Sequence, residues 1–270
     1  MKITLSYLGA AAMFLAACGG GGNAALSRNF AYGSAQTPTS SDQTAASTAT
    51  TNLSAASSFS SSPSATSGAS VVDFAMVLGS LAFGSSGVPV RLPGDVTISS
   101  ALRSAADLSS CGTVSGNTVT FNNCTDSSAG TSITINGSIT ATANSVTWNI
   151  SGSFSGTETS STGQTINFNF NLHEAGSLTV TSTKVTGNAT ADFGGSVSSQ
   201  GQTINFGIAT AALVDVTYQG GATPCITSGS VEVKRVWTQR PAAASGAQYD
   251  DVGVKLVWSA CNTFTVAHSQ

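Results

Sequence analysis

The most constraining feature of the sequence is a period-two alternation of apolar and polar residues that recurs from residue 111 to the C-terminus. Along 165–172, Ile, Phe and Leu at even positions alternate with Thr and Asn at odd positions. Alternation of this kind places the two sets on opposite faces of a β-strand. Because short turns rich in Gly, Asn and Ser join the segments, we expect about ten strands with antiparallel pairing. The predicted fold class is mainly β, an antiparallel meander arranged as a sandwich or open barrel.

Two environments fit such a sheet. A soluble sheet buries its apolar face, whereas a membrane barrel turns that face to lipid and carries aromatic girdles at both rims. Aromatic residues make up only 7% of the chain and are scattered along the strands, which favours the soluble sheet. The alternation then predicts a common interior for Trp148, Phe168, Phe170, Ile204 and Phe206, and solvent exposure for Asn167, Asn169 and Asn205.

One six-residue motif occurs twice. Gly163-Gln164-Thr165-Ile166-Asn167-Phe168 recurs 38 residues later as 201–206. Each copy stands between two predicted strands, so we interpret the repeat as a duplicated hairpin, with a repeated binding or assembly unit as the alternative. Two copies are too few for a solenoid, which needs at least about three.

The segment before the sheet is predicted to contain one or two short helices. Val71, Phe74, Leu78 and Leu81 are spaced as a helical stripe, although a buried strand is the alternative, and 97–108 is typical of a second short helix. Together with the sheet, these helices predict a single β-rich domain over residues 71–270.

Residues 18–70 are predicted to be a disordered tether. Ser and Thr occupy 21 of the 48 positions from 23 to 70, and only Arg28 and Asp42 are charged. A segment with so few large apolar residues cannot bury enough surface to offset its ordering entropy. As a random coil it would reach about 35–40 Å.

The N-terminus is predicted to carry a targeting signal. Lys2 precedes an apolar run from Ile3 to Leu15, which is shorter than a transmembrane helix requires, and Leu15-Ala16-Ala17-Cys18 follows. This motif resembles the lipobox of bacterial lipoproteins. The resemblance implies a signal peptide over residues 1–17 and attachment of diacylglycerol to the Cys18 thiol. It also implies acylation of the new amino group, for example by palmitate, which together gives a stable membrane anchor.

The residue after the anchor predicts the compartment. In Gram-negative lipoproteins of this pattern, Asp at that position favours retention in the inner membrane, and here the residue is Gly19. The resemblance therefore implies a lipid-anchored protein of the outer membrane, within the cell envelope.

The other four cysteines predict disulfide bonds. Cys111, Cys124, Cys225 and Cys261 allow three pairings. Cys111 and Cys124 flank a predicted hairpin turn at 116–117, and a bulge at 122–123 would bring them together. We therefore favour Cys111–Cys124 and Cys225–Cys261, which an exported protein can form. A metal site is the rival, but no Cys-x₂-Cys pair with nearby His supports it.

The composition provides few of the charged and histidine side chains that catalysis commonly uses. Charged residues make up 8% of the chain, the net charge is −3, and there are two histidines. A chain without a basic surface is not expected to bind nucleic acid. His173 and His268 are expected at solvated positions, and no nucleophile motif or metal motif is complete. We therefore predict a protein that is not an enzyme and needs no cofactor or metal.

One cluster is the candidate binding patch. Lys234, Arg235, Trp237 and Arg240 lie within one predicted strand, and Trp258 is added from a later strand. Such a basic and aromatic group could contact an anionic headgroup or a glycan. The alternative, which we favour, is a charged edge strand that resists edge-to-edge pairing.

Two functions follow from these observations. The first is a lipoprotein tethered to the outer membrane that presents a β-domain for a structural or binding purpose, with an unidentified lipid, glycan or protein partner. The alternative is a carrier of a lipid or other apolar ligand, held in an incompletely closed sheet.

Overall fold

The computed structural model describes residues 21–40, 42–44, 46–47, 50, 112–128, 131–159, 163–220, 224–241 and 250–270. A short helix, α1 (Gly21–Ser27), precedes the strands. The strands are β1 (Thr113–Ser115), β2 (Thr118–Ser128), β3 (Thr131–Ala141), β4 (Ser145–Thr159), β5 (Thr165–Val180), β6 (Lys184–Ser199), β7 (Gln202–Gln219), β8 (Cys225–Gln239), β9 (Val252–Ala260) and β10 (Thr263–His268).

All ten strands form one antiparallel meander, in which each strand pairs with its neighbours in sequence, and the sheet does not close into a barrel. The predicted fold class is thereby confirmed, with an open sheet as its form. The β6–β7 turn illustrates the local chemistry. Gln200 and Gly201 both have positive φ, 52° and 77°, as a two-residue hairpin turn with right-handed strand twist requires.

The two copies of the repeated motif begin β5 and β7. Gly163 and Gly201 precede these strands with nearly equal φ angles, 79° and 77°. Phe168 and Phe206 follow at equivalent positions on the same face of the sheet, and both are buried. The interpretation as a duplicated hairpin is consistent with this arrangement.

Alternation divides the sheet into an apolar face and a polar face. Phe168, Phe170, Phe206 and Trp148 are at most 7% exposed, and Ile204 is half-buried. Asn167, Asn169 and Asn205 lie between them on the polar face and are exposed. The predicted orientation of both sets is therefore confirmed.

The apolar face carries two clusters where one interior was expected. The larger apolar cluster spans β2 to β10 and includes Trp148, Leu178 and Val254. The aromatic cluster occupies the other end of β5 to β7 and is formed by Ile166, Phe168, Phe170, Ala191, Phe193, Val197, Phe206 and Ile208. A cross-strand row lies between most residues of the larger apolar cluster and those of the aromatic cluster. This row, which we call the polar row, contains three buried polar residues, Glu174, Thr210 and Arg235. The prediction of a common interior is corrected accordingly.

Trp148 shows how the larger cluster is packed. It lies opposite Gly176 on β5, and a Cβ built at Gly176 would overlap the indole ring. A residue without a side chain at this position lets the indole lie on the backbone of the neighbouring strand, so that Trp148 is only 5% exposed.

Residues 21–40, which we call the strap, are part of the folded body. The structure differs here from the tether predicted over residues 18–70. Helix α1 packs on the polar face of β6, β7 and β8, where Ala25 is fully buried with Ala209, Ala211 and Val236. Small side chains on the helix and on the sheet permit this close packing. The tether was predicted because large apolar residues are scarce, and that criterion overlooks packing between small residues.

After α1, the strap crosses β9 and reaches the edge of the sheet. Gly33 N–H donates to His268 O at 3.0 Å, and Gln36 exchanges two backbone hydrogen bonds with Val266 at 2.8 and 3.1 Å. These bonds cover part of the free edge of β10, an edge that would otherwise be open to pairing with another chain.

A second helical segment then begins on the apolar side of the sheet. Thr39 caps it: its backbone N–H donates to Asp42 Oδ2 at 2.8 Å, and Asp42 N–H donates to Thr39 Oγ1 at 3.3 Å. This reciprocal pair is a capping box. Ala46 of the same segment packs in the larger apolar cluster. The N-terminal chain therefore contacts both faces of the sheet.

Several predictions lie outside the described residues. These are the helices at 71–81 and 97–108, the signal peptide, Cys18 and Cys111. Among the residues that are described, no helix is long and apolar enough to cross a bilayer.

Candidate functional site

The predicted patch of Lys234, Arg235, Trp237, Arg240 and Trp258 does not form one exposed surface. Lys234 and Arg235 are 5% and 3% exposed and point to opposite faces of β8. Consecutive residues of a strand always alternate in this way, so the two charges could share a surface only at a bulge. Trp258 lies in the larger apolar cluster, where it stacks on Phe264 with ring centroids 5.3 Å apart.

Lys234 lies beneath the strap on the polar face. Its ammonium donates to the carbonyl of Leu26 at 3.3 Å and lies 3.6 Å from Glu232 Oε1. Leu26 stands in the last turn of α1, where carbonyls lack helical partners and favour a positive charge. Tyr32 donates its hydroxyl proton to the same Glu232 oxygen at 2.7 Å. These three side chains hold the strap on the sheet, which is a structural role.

Arg235 belongs to the polar row on the apolar face. Its Nη2 donates to the carbonyl of Asp250 at 3.5 Å, a long hydrogen bond. Burial lowers the pKa of Arg235, and the negative charges of Asp251 and Asp250 oppose that effect. The polar row therefore places a buried cation between the two clusters.

Asp251, just before β9, lies close to Arg240, the remaining charged residue of the predicted patch. One carboxylate oxygen accepts the backbone N–H of Trp237 at 3.0 Å and lies 3.9 Å from Arg240 Nη2. The other oxygen lies 3.3 Å from Arg28 Nη2 in the strap. Trp237 is half-buried against the aromatic cluster, and only Arg240 of the predicted patch is exposed. Asp251 thus joins β8, β9 and the strap.

The disulfide Cys225–Cys261 is present and links the start of β8 to the β9–β10 turn. Cys124 is also disulfide-bonded, and its predicted partner Cys111 lies outside the described residues. The bulge expected beside Cys124 is present, because the β2–β3 register shifts between Phe121 and Cys124 and Asn123 has a φ of 49°.

His173 has polar neighbours on the polar face that the sequence analysis missed. Its Nε2 is 3.1 Å from Asn149 Oδ1, and its Nδ1 is 3.9 Å from Asp192 Oδ2. Asp192 is 3% exposed, and Ser151 stands opposite His173 in register. The β5–β6 hairpin register could have revealed the pair of His173 and Asp192, which lie directly opposite each other. The group does not form a catalytic triad, since Nε2 faces the amide and the carboxylate is beyond hydrogen-bond distance.

Within the described parts of the chain, no three His, Cys, Asp or Glu side chains are grouped so as to hold a metal ion. Comparison with known proteins identifies no relative: no family model, no curated protein and no solved structure matches the chain. The function therefore has to be argued from this chain's own residues.

The margin of the aromatic cluster is only partly covered. Phe154, Leu172 and Trp237 pack against the cluster and are half-buried. Phe154 stacks on Phe168 and Phe170, with centroid distances of 5.1 and 6.1 Å. This group could contact an apolar ligand through the edges and faces of its rings.

Proposed function

We propose that the protein is a lipid-anchored lipoprotein of the outer membrane, and that its β-domain has a structural or binding role without catalysis. The observation that carries the proposal is the sequence Leu15-Ala16-Ala17-Cys18, which resembles a lipobox and follows a short apolar run. Anchoring through several acyl chains gives membrane attachment without a transmembrane segment.

The described body supports a non-enzymatic role. Several charged residues of the described body are engaged in holding the fold: Lys234 and Glu232 bind the strap, and Asp251 joins two strands to it. Catalytic groups would instead face a cleft accessible to substrate. The partly covered edge of β10 suits a domain that has to remain separate from its neighbours at a crowded membrane surface.

The experiment that tests the anchor is the substitution Cys18→Ser in the full chain expressed in a Gram-negative host. We expect the wild-type protein to fractionate with outer membranes and to carry the mass of a diacylglyceryl and an acyl group at its N-terminus. Cys18→Ser should lose both properties. Gly19→Ser is the matched control, because it changes the neighbouring residue and retains the thiol. If Cys18→Ser still carries the lipid mass, or if the wild-type chain lacks it, the proposal is wrong.

A second substitution tests the compartment. Gly19→Asp should keep the lipid mass and move the protein to the inner-membrane fraction. Unchanged fractionation with the outer membrane would contradict the argument from Gly19 but would not affect the proposed lipidation of Cys18.

The half-buried group of Phe154, Leu172 and Trp237 favours a second candidate function, the transport of an apolar ligand. Native mass spectrometry of gently purified protein, followed by lipid extraction, distinguishes the two functions. A lipid that co-purifies with the wild type and is lost from Leu172→Asp would support a carrier. Asn171→Asp, on the opposite face of the same strand, is the control. Ligand-free wild-type protein would exclude the carrier function.

A further inference from the structure

The strap begins on one face of the sheet, three residues after the proposed anchor at Cys18. Gly22 is buried on the polar face, and a Cβ at that position would overlap the side chain of Thr190 on β6. Helix α1 then continues over β7 and β8. The first described residues of the chain are thus fixed on the polar face of the sheet.

The chain between Cys18 and this contact is short. Three peptide steps separate Cys18 from Gly21, and four separate it from Gly22. A fully extended chain covers at most about 3.6 Å per step, so the Cα atom of Cys18 lies within about 14 Å of the Cα atom of Gly22. The disordered tether predicted over residues 18–70 would have an r.m.s. reach of about 35–40 Å and a much longer extended length.

We infer that the polar face around α1 lies against the lipid headgroups of the membrane that holds the anchor. This inference rests on the proposed lipidation of Cys18. Acyl chains attached to Cys18 place this residue at the membrane interface, and the short connection then limits how far the polar face can move away. The sheet has a defined membrane side and does not hang on a long tether.

The chemistry of this face suits a headgroup layer. Asn188 and Ser177 form a cross-strand pair two residues from Thr190, and both are exposed. Their amide and hydroxyl groups can donate to phosphate and sugar oxygens without introducing a net charge.

Charges on the same face are largely compensated. Lys184 Nζ lies 2.8 Å from Asp215 Oδ1, and Lys234 Nζ lies 3.6 Å from Glu232 Oε1. Arg28 and Asp251 form a third pair at 3.3 Å. A surface with paired charges is not repelled by anionic headgroups, whereas unpaired carboxylates would be.

Photo-cross-linking in intact cells tests the inference. The photoreactive residue p-benzoylphenylalanine replaces Asn188 in one variant of the full-length chain and Gln43 in another. Both positions are exposed, but Gln43 lies in the second helical segment, whose Ala46 packs on the apolar face. The readout is the mass of lipid bound covalently to the purified protein.

We expect several-fold more phospholipid or lipopolysaccharide adduct at position 188 than at position 43. Insertion of a twelve-residue Gly-Ser linker between Gly20 and Gly21 should reduce the adduct at position 188 strongly, while the protein stays in the membrane fraction. The linker variant therefore tests the short connection separately from the anchor.

Several outcomes would overturn the inference. Equal lipid adducts at positions 188 and 43, a protein adduct at 188 in place of lipid, or an unchanged adduct after linker insertion would each do so. The N-terminal mass of the same samples separates the two proposals. Lipidated protein without an adduct at position 188 contradicts only the membrane-facing surface, whereas protein without lipid at Cys18 contradicts the anchor itself.

Discussion

Tyr32 donates its hydroxyl proton to Glu232 Oε1 at 2.7 Å, although 200 positions separate the two residues in sequence. This bond joins the strap to β8 on the polar face. The same carboxylate lies 3.6 Å from Lys234, which in turn holds the end of α1. A segment with the composition of a spacer is therefore fixed to the sheet by a small number of specific polar contacts.

Tyr32→Phe should loosen the strap without unfolding the sheet. Loss of a hydrogen bond to a charged acceptor costs about 1.5–3 kcal/mol of the free energy of unfolding. The amides of Gly33 and Gln36, which bond to β10, should then exchange with solvent faster, as measured by hydrogen–deuterium exchange. Tyr218→Phe is the control, since Tyr218 lies in the larger apolar cluster and its hydroxyl bonds to Thr181 O. Equal exchange at Gly33 and Gln36 in wild type and Tyr32→Phe would contradict this role.

The same tyrosine predicts a loss of stability at alkaline pH. Burial, and then the hydrogen bond and charge of Glu232, raise the pKa of Tyr32 far above its usual value of 10.0. In the unfolded chain Tyr32 loses its proton near pH 10, about where free tyrosine titrates. The stabilisation is therefore complete below that pH and is lost progressively as the pH rises towards the higher folded-state pKa.

Urea unfolding at a series of pH values measures this effect. The free energy of unfolding should fall as the pH rises above about 10, and the slope should be smaller in Tyr32→Phe. Burial also raises the pKa of Tyr218, so Tyr218→Phe should remove a separate part of the slope. Parallel curves for wild type and Tyr32→Phe would show that Tyr32 does not contribute.

Phe168→Ala tests the aromatic cluster. Phe168 is 7% exposed and stacks on Phe154 and Phe170, with centroid distances of 5.1 and 5.4 Å. Its truncation should destabilise the protein by about 3–5 kcal/mol, through lost burial and a residual cavity. Asn169→Ala on the exposed face of the same strand should change stability by less than about 0.5 kcal/mol. Asn169 is the better control, because Asn167 accepts a hydrogen bond from Thr157. A small loss for Phe168→Ala in urea unfolding would mean that the cluster is poorly packed.

The sequence predicted the sheet well because alternation is a local property. Position along a strand decides which face a side chain occupies, so the orientation of Phe168 and Asn169 needs no knowledge of distant residues. The same rule separates Lys234 from Arg235, and applying it would have removed the predicted patch. The strap could not be predicted in this way. Its docking depends on a fit between small residues, such as Ala25 and Ala209, and on the distant partner Glu232.

The Cys225–Cys261 disulfide should stabilise the C-terminal hairpin most. It joins the first residue of β8 to the β9–β10 turn across 36 positions, and β10 also carries the backbone bonds to the strap. In the chain-entropy model, loss of a cross-link over this loop costs about 4 kcal/mol. The double substitution Cys225→Ser, Cys261→Ser should lower the urea midpoint accordingly. The amides of β9, β10 and the strap should exchange faster than those of β4 to β6. The double variant is preferable to a reductant, because a reductant would also act on the disulfide of Cys124. A lower midpoint with uniformly faster exchange would assign the disulfide a global effect, and an unchanged midpoint would mean that the hairpin is held by its strand pairing alone.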